Sequence, residues 1–129
     1  MTEARALLDG SVSERDFQRT VIELAKVRGW LVYHALPART KKGWRTLTQG
    51  DVGFPDLVMV RPPRLIFAEL KSEKGKMTVE QESWQDALVG CIVLGRPAID
   101  LQGRVSHPTP EVYVWHPSEM EDIQIILQR

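Results

Sequence analysis

Two short apolar runs, at residues 57–60 and 65–70, are separated by a segment that contains Pro62 and Pro63. Proline has no backbone N–H to donate to a strand ladder, so this segment predicts a turn. Two apolar runs joined by a short turn predict an antiparallel hairpin. The chain is therefore restricted to folds that contain a sheet, with this hairpin as part of it.

Acidic residues stand at one end of the predicted hairpin. If the turn is centred between the two prolines, Asp56 pairs with Glu69 and both side chains point to the same face. Lys71 lies two residues beyond Glu69 and shares that face. Like charges directly opposite each other destabilise a sheet. A divalent cation would compensate them, because hard cations are held by one or two carboxylates with other oxygen ligands. A shift of one residue in the register would remove Asp56 from this face.

A helix is predicted to begin after Ser13, which has capping-box spacing to an acid at position 16. Gly29 is expected to end it. Its apolar residues recur with helical periodicity at Phe17, Val21, Leu24 and Ala25.

The same helix carries two glutamates at opposite phases. At 100° per residue, Glu14 lies within about 20° of Val21 and Ala25, whereas Glu23 lies on the opposite side. The phase predicts that Glu14 faces inward and Glu23 faces solvent. Acids favour helix N-termini, which is a purely structural alternative for Glu14.

The rest of the chain continues the alternation of helices and strands. Gln81 has capping-box spacing to Thr78, which predicts a helix start. The further elements expected are a strand at residues 30–35, a long loop at 37–51, a helix from Thr78 to Gly90, an irregular stretch at 91–110 with one short strand at 92–94, a strand at 112–115 and a final helix capped by Ser118. The order α-β-β-β-α-β-α predicts one α/β domain, residues 1–129, with a central sheet.

The charge distribution suggests a polyanionic partner, although the net charge is zero. Residues 24–50 contain no acid, and a basic solvated loop without a partner is the alternative. Trp44 in this stretch either stacks on an unpaired base or packs onto the core. His34 either faces the cleft and touches phosphate or is structural. The basic residues of the stretch are Lys26, Arg28, Arg39, Lys41, Lys42 and Arg45.

Composition excludes several classes of protein. The single cysteine, Cys91, excludes an internal disulfide framework and a multi-cysteine zinc site, and indicates a reducing compartment. No apolar run approaches the roughly 20 residues of a membrane span. The start of the chain lacks the apolar core of a signal peptide. We therefore expect a cytoplasmic protein without a membrane anchor.

The order of the acidic motifs resembles a known nuclease signature. Gly53-Phe54-Pro55-Asp56-Leu57 is followed by Glu69-Leu70-Lys71, thirteen residues after the aspartate, and then by Gln81. This string resembles the PD-(D/E)XK nuclease signature, and more narrowly the VRR-NUC (virus-type replication-repair nuclease) domains. The segments 13–18, 29–34, 78–88 and 112–117 resemble the flanking helices and strands of that family.

The resemblance implies a restriction-endonuclease-like core, a central mixed sheet flanked by helices, that cleaves DNA with Mg²⁺ or Mn²⁺. It implies that Asp56, Glu69 and the backbone carbonyl of Leu70 bind the metal, that Glu14 contacts it directly or through water, that Lys71 acts on the attacking water, and that Gln81 supports the site. The DNA-binding residues expected beside this site are His34, Arg39, Lys41, Lys42 and Arg45.

Stand-alone members of the family are similar to Holliday junction resolvases and tend to be homodimers. The resemblance therefore implies a branched DNA substrate and a homodimer with two equivalent sites. The stretch at residues 91–110 departs from the family pattern and is interpreted as an insertion. A sequence-specific or nicking or flap nuclease with the same core, and a DNA-binding module without activity, are the alternatives. The complete set of Asp56, Glu69 and Lys71 argues against the last of these.

Overall fold

The computed structural model describes residues 13–94, 98–106 and 110–129. A 3-10 turn, Pro117–Glu119, precedes the last helix. None of the helices in these three ranges is long and apolar enough to cross a membrane. The helices are α1 (Glu14–Val27), α2 (Val79–Leu94) and α3 (Met120–Gln128), and the strands are β1 (Leu31–His34), β2 (Ala38–Thr40), β3 (Gly43–Arg45), β4 (Leu57–Arg61), β5 (Arg64–Leu70), β6 (Ala98–Ile99), β7 (Val105–Ser106) and β8 (Glu111–Trp115).

The main sheet has four strands in the order β1-β4-β5-β8. The pairs β1–β4 and β4–β5 are antiparallel, and β5–β8 is parallel, so the sheet is mixed as expected. Leu57 pairs with Ala68 and Arg61 pairs with Arg64. This confirms the predicted register of the hairpin. One residue beyond the ladder, Asp56 therefore stands opposite Glu69.

The hydrophobic core lies between one face of this sheet and the helices α1 and α3. Side chains alternate between the two faces of a strand, so the odd-numbered residues of β4 and the even-numbered residues of β5 enter the core together. The buried core residues are Phe17, Val21, Ala25, Trp30, Leu57, Met59, Ile66, Ala68, Leu70, Trp115, Ile123 and Leu127.

Helix α1 has the predicted start, end and phase. The Ser13 hydroxyl oxygen accepts a hydrogen bond from the Asp16 backbone N–H at 3.1 Å. Gly29 follows the helix with a positive φ of 85°, a conformation that glycine adopts without steric cost. Phe17 and Val21 are fully buried. The helix is thereby fixed against the sheet with Glu14 at its inner edge.

Helix α2 lies over the opposite face of the sheet. Phe54, in the loop before β4, makes edge-to-face contacts with Phe67 on β5 and Trp84 on α2, with ring centroids 6.0 and 5.0 Å apart. The predicted capping box is present. The Thr78 hydroxyl oxygen accepts from the Gln81 backbone N–H at 3.1 Å, and the Gln81 amide oxygen accepts from the Thr78 N–H at 2.9 Å. The capping box thus fixes the start of α2, and the contacts of Phe54 hold the helix beside β5.

The prediction of a long loop at residues 37–51 is wrong for the first half of that segment, because these residues form the hairpin β2–β3. Thr40 pairs with Gly43 across a two-residue turn of Lys41 and Lys42. Gly43 has a positive φ of 101°, as in turns that end on a glycine bulge. The Thr40 hydroxyl donates to the Gly43 carbonyl at 2.7 Å and stabilises the turn.

Four expectations for the second half of the chain are also wrong. Helix α2 continues through Gly90 to Leu94, so the glycine does not end it and no strand forms at 92–94. A glycine inside a helix costs only about 1 kcal/mol. Ser118 lies within the 3-10 turn rather than capping α3. The stretch at 91–110 is only partly irregular where the structure describes it, because residues 91–94 continue α2 and β6 pairs with β7. Residues 95–97 and 107–109 of the predicted insertion lie outside the described residues.

Candidate metal and nucleic-acid site

Two carboxylates meet at the end of the β4–β5 hairpin. The Glu69 side chain is 2% exposed, and burial, together with the charge and hydrogen bonding of Asp56, raises the pKa of Glu69 to about 8. One Asp56 carboxylate oxygen, Oδ2, accepts a hydrogen bond from the Leu70 backbone N–H at 2.9 Å. Asp56 is therefore held against the strand that carries Glu69.

Lys71 and Gln81 contact the buried glutamate. The Lys71 ammonium Nζ lies 3.7 Å from Glu69 Oε1. The Gln81 amide nitrogen donates to the same oxygen at 3.0 Å. Because the Gln81 amide oxygen also closes the capping box with Thr78, Gln81 links the start of α2 to the carboxylate pair. The helix start thus fixes the orientation of the Glu69 side chain.

Glu14 lies at the edge of this pair. Burial raises its pKa, the charge of Lys71 lowers it, and the charge of Asp56 raises it. Glu14 is half-buried whereas Glu23 is exposed, which confirms the predicted phase of α1. In the ranges that the structure describes, no three His, Cys, Asp or Glu side chains form a group that could hold a metal ion. Direct ligation by Glu14 stays a prediction.

The carboxylate pair has the chemistry of a cation site. Two opposed carboxylates repel each other when both are ionised, and burial strengthens the repulsion. The raised pKa of Glu69 favours a proton on this pair in the absence of a cation, and a divalent cation bound to both carboxylates would displace that proton. Oxygen donors of this type suit Mg²⁺ or Mn²⁺. Asp56 and Glu69 therefore fit a hard divalent cation.

The loop that carries Asp56 is anchored to α2. The Trp84 indole N–H donates to the backbone carbonyls of Val52 and Asp51, at 3.1 and 3.4 Å. Gly53 has a positive φ of 98°. A β-carbon at this position would lie 2.6 Å from the backbone carbonyl carbon of Glu80. The glycine thus permits the close approach of loop and helix that sets the position of Asp56.

A groove of about 1090 Å³ opens beside the carboxylates. Helix α1 forms one wall, and the segment from the end of β1 through the β2–β3 hairpin forms the other. Glu14 and Asp56 line the groove at the end nearest the carboxylate pair. Its remaining lining residues are Ser13, Arg15, Gln18, Arg19, Ile22, Glu23, Lys26, His34, Ala35, Leu36, Pro37, Trp44 and Thr46.

The structure brings some of the predicted DNA-binding residues to this groove. His34 lines it directly. The basic residues Arg39, Lys41, Lys42 and Arg45 are exposed on the β2–β3 hairpin, beside the lining rather than in it. Their predicted contact with DNA is untested by this geometry.

Sequence reasoning named Lys26 as one of the basic residues but missed two further cations that α1 contributes to the groove. Arg15 and Arg19 line it together with Lys26, because residues spaced by three, four, seven or eight share one helical face. That spacing is a signal in the sequence that would have found them. The anchoring role of Trp84 had no such signal, because its acceptors lie more than 30 residues away in the chain.

No protein-family model matches the chain, and no curated protein or solved structure matches it. The likeness to VRR-NUC nucleases therefore rests on the motifs of the sequence. The site itself is defined by the contacts of Asp56, Glu69, Lys71 and Gln81.

Proposed function

We propose that the chain is a metal-dependent DNA endonuclease of the VRR-NUC type. The observation that carries this proposal is the pair of opposed carboxylates, buried Glu69 and half-buried Asp56, with Lys71 3.7 Å from Glu69 and an open groove beside them. Carboxyls with strongly perturbed pKa values in a cleft are typical of functional sites. The expected setting is the cytoplasm, as the lone cysteine indicates.

The roles proposed for these residues combine their contacts with the likeness to VRR-NUC nucleases. Asp56, Glu69 and the Leu70 carbonyl would hold Mg²⁺ or Mn²⁺. When bound, such a cation would lower the pKa of a bound water and neutralise negative charge on the phosphate. The Lys71 ammonium stabilises the negative charge that develops during phosphodiester hydrolysis. Gln81 is a positioning residue, because its amide orients Glu69 through the 3.0 Å hydrogen bond.

Glu14→Gln is expected to reduce the cleavage rate far more than Glu23→Gln. Glu14 is half-buried beside Asp56 and Lys71, whereas Glu23 is exposed and lines the groove nine residues further along the same helix. Loss of one carboxylate that contacts the metal through water corresponds to about 10- to 100-fold in activity. Single-turnover rates at saturating Mg²⁺ measure the difference. Equal rates for the two variants would show that Glu14 takes no part in the site.

Removal of the hairpin cations is expected to weaken DNA binding irrespective of sequence. Each phosphate contact contributes about 0.9 to the slope of log affinity against log salt for B-form DNA. The combined variant Lys41→Ala, Lys42→Ala, Arg45→Ala should therefore lower the slope by roughly 2 to 3. A control with Arg104→Ala and Arg129→Ala removes two exposed cations outside the groove lining and should leave the slope unchanged. An unchanged slope in the triple variant would contradict the assignment.

The proposed substrate is branched DNA and the proposed assembly is a homodimer. Resolution of a four-way junction needs two cuts in strands of like polarity. A two-fold dimer supplies two equivalent sites in a fixed relation without a second gene product. The basic hairpins of the two subunits would then both contact junction arms.

The proposal is tested with labelled four-way junction, flap, duplex and single-stranded DNA, each with Mg²⁺, Mn²⁺ or EDTA. We expect metal-dependent cleavage with the junction cut best, and a dimer by light scattering. The Asp56→Asn protein, purified identically, controls for contaminating nucleases. A folded protein that cuts none of these substrates would overturn the nuclease proposal. A monomer that makes only single nicks would replace the junction resolvase by a nicking or flap nuclease.

A further inference from the structure

Trp44 differs from the other tryptophans of the chain in its exposure. Trp30 and Trp115 are 3% and 2% exposed and belong to the core. Trp84 is held by Phe54 and by hydrogen bonds to the preceding loop. Trp44 is 68% exposed and lines the groove that also contains Glu14 and Asp56. A large aromatic ring is thus offered to whatever occupies the groove.

The hairpin presents this ring together with positive charge. Arg39 is the cross-strand partner of Trp44, so the two side chains share one face of the hairpin. Lys41 and Lys42 form the turn, which the Thr40 hydroxyl stabilises through its 2.7 Å hydrogen bond to the Gly43 carbonyl. An aromatic face flanked by cations matches a nucleotide, because the base stacks on the ring while the phosphate meets the charges.

A base within an intact duplex cannot stack on Trp44, since both of its faces are covered by neighbouring bases. Only an unpaired or extruded nucleotide presents a free face. We propose that Trp44 stacks on an unpaired base of the DNA bound in this groove, one that is single-stranded in the substrate or extruded beside a branch point, near the bond to be cut. This inference rests on the proposed nuclease function and names the substrate class of the same site.

The test measures binding in EDTA, where cleavage is absent. The two probes are labelled duplexes that carry one unpaired nucleotide, either intact or abasic at that position. The wild-type protein is expected to bind the intact probe about 5- to 100-fold more tightly, the range for stacking of one base on an aromatic ring. Trp44→Ala should abolish this preference, and Trp44→Phe should retain most of it. Leu47→Ala, which truncates a side chain 82% exposed in the same segment, should leave it unchanged.

Equal affinity of the wild-type protein for the two probes would overturn the inference. So would a preference that survives in Trp44→Ala. Because both measurements are made without metal, they are separate from the nuclease proposal. If the protein cuts DNA but shows no base preference that depends on Trp44, only the stacking role is refuted. If the protein shows that preference but never cuts DNA, stacking is supported and the nuclease function is refuted.

Discussion

Asp56→Asn and Glu69→Gln are each expected to reduce DNA cleavage about 10³-fold or more, while DNA affinity changes little. Both residues are proposed to hold the cation, and the charge stabilisation supplied by a catalytic metal is worth several kcal/mol. Affinity comes mainly from phosphate contacts elsewhere on the protein. The amide variants keep the size of each side chain, so neither leaves a cavity at the site. Single-turnover cleavage and equilibrium binding to the same labelled junction measure the two effects.

Matched controls come from acids in the loop that carries Asp56 and in helix α2. Asp51→Asn and Glu82→Gln remove exposed acids and should retain full activity. In metal-free buffer, Glu69→Gln should raise the midpoint of thermal unfolding, because it removes one of two opposed carboxyls that burial disfavours in their ionised form. Full cleavage activity in a folded Asp56→Asn protein would contradict the assignment of the site.

Gly53→Ala is expected to lower the free energy of unfolding by about 2 to 6 kcal/mol. About 1 to 3 kcal/mol comes from forcing a residue with a β-carbon to a φ of 98°. A further 1 to 3 kcal/mol or so comes from crowding, because the new β-carbon would lie 2.6 Å from the Glu80 backbone. To relieve that contact, the loop must move away from α2. Asp56 would move with it, so cleavage should fall as well.

Gly50→Ala separates the two causes. Gly50 has nearly the same φ, 104°, but an added β-carbon there meets nothing within 4 Å. Its substitution should therefore cost only the backbone part, about 1 to 3 kcal/mol, and leave cleavage unchanged. Urea unfolding of both variants gives the comparison. Equal losses of stability would show that the close approach of Gly53 to α2 contributes nothing.

The parts of the site predicted from the sequence are those set by local geometry. The period-two alternation of the strands and the turn at Pro62 and Pro63 determine the hairpin register, which places Asp56 opposite Glu69. The 3.6-residue period of α1 determines the inward phase of Glu14. The capping box at Thr78 and Gln81 likewise depends on residues three apart. Each of these features needs only neighbours along the chain.

The parts that were missed depend on contacts between distant segments or on weak local patterns. The β2–β3 hairpin has no apolar alternation, because its strands lie in solvent rather than against a core. Helix α2 continues through Gly90 although the glycine favours an end. The groove exists only because α1 and the hairpin approach each other in the folded chain. The close contact of Gly53 with Glu80 is a tertiary contact of the same kind.

The most direct test of the central claim is the stoichiometry of Mn²⁺ binding, measured by electron paramagnetic resonance or calorimetry in the absence of DNA. If Asp56 and Glu69 hold the catalytic cation, the wild-type protein and Asp51→Asn bind one Mn²⁺ per chain at this site, and Mg²⁺ competes for it. Asp56→Asn and Glu69→Gln then lose that binding while remaining folded. A wild-type stoichiometry and affinity in both variants would place the cation elsewhere and contradict the account.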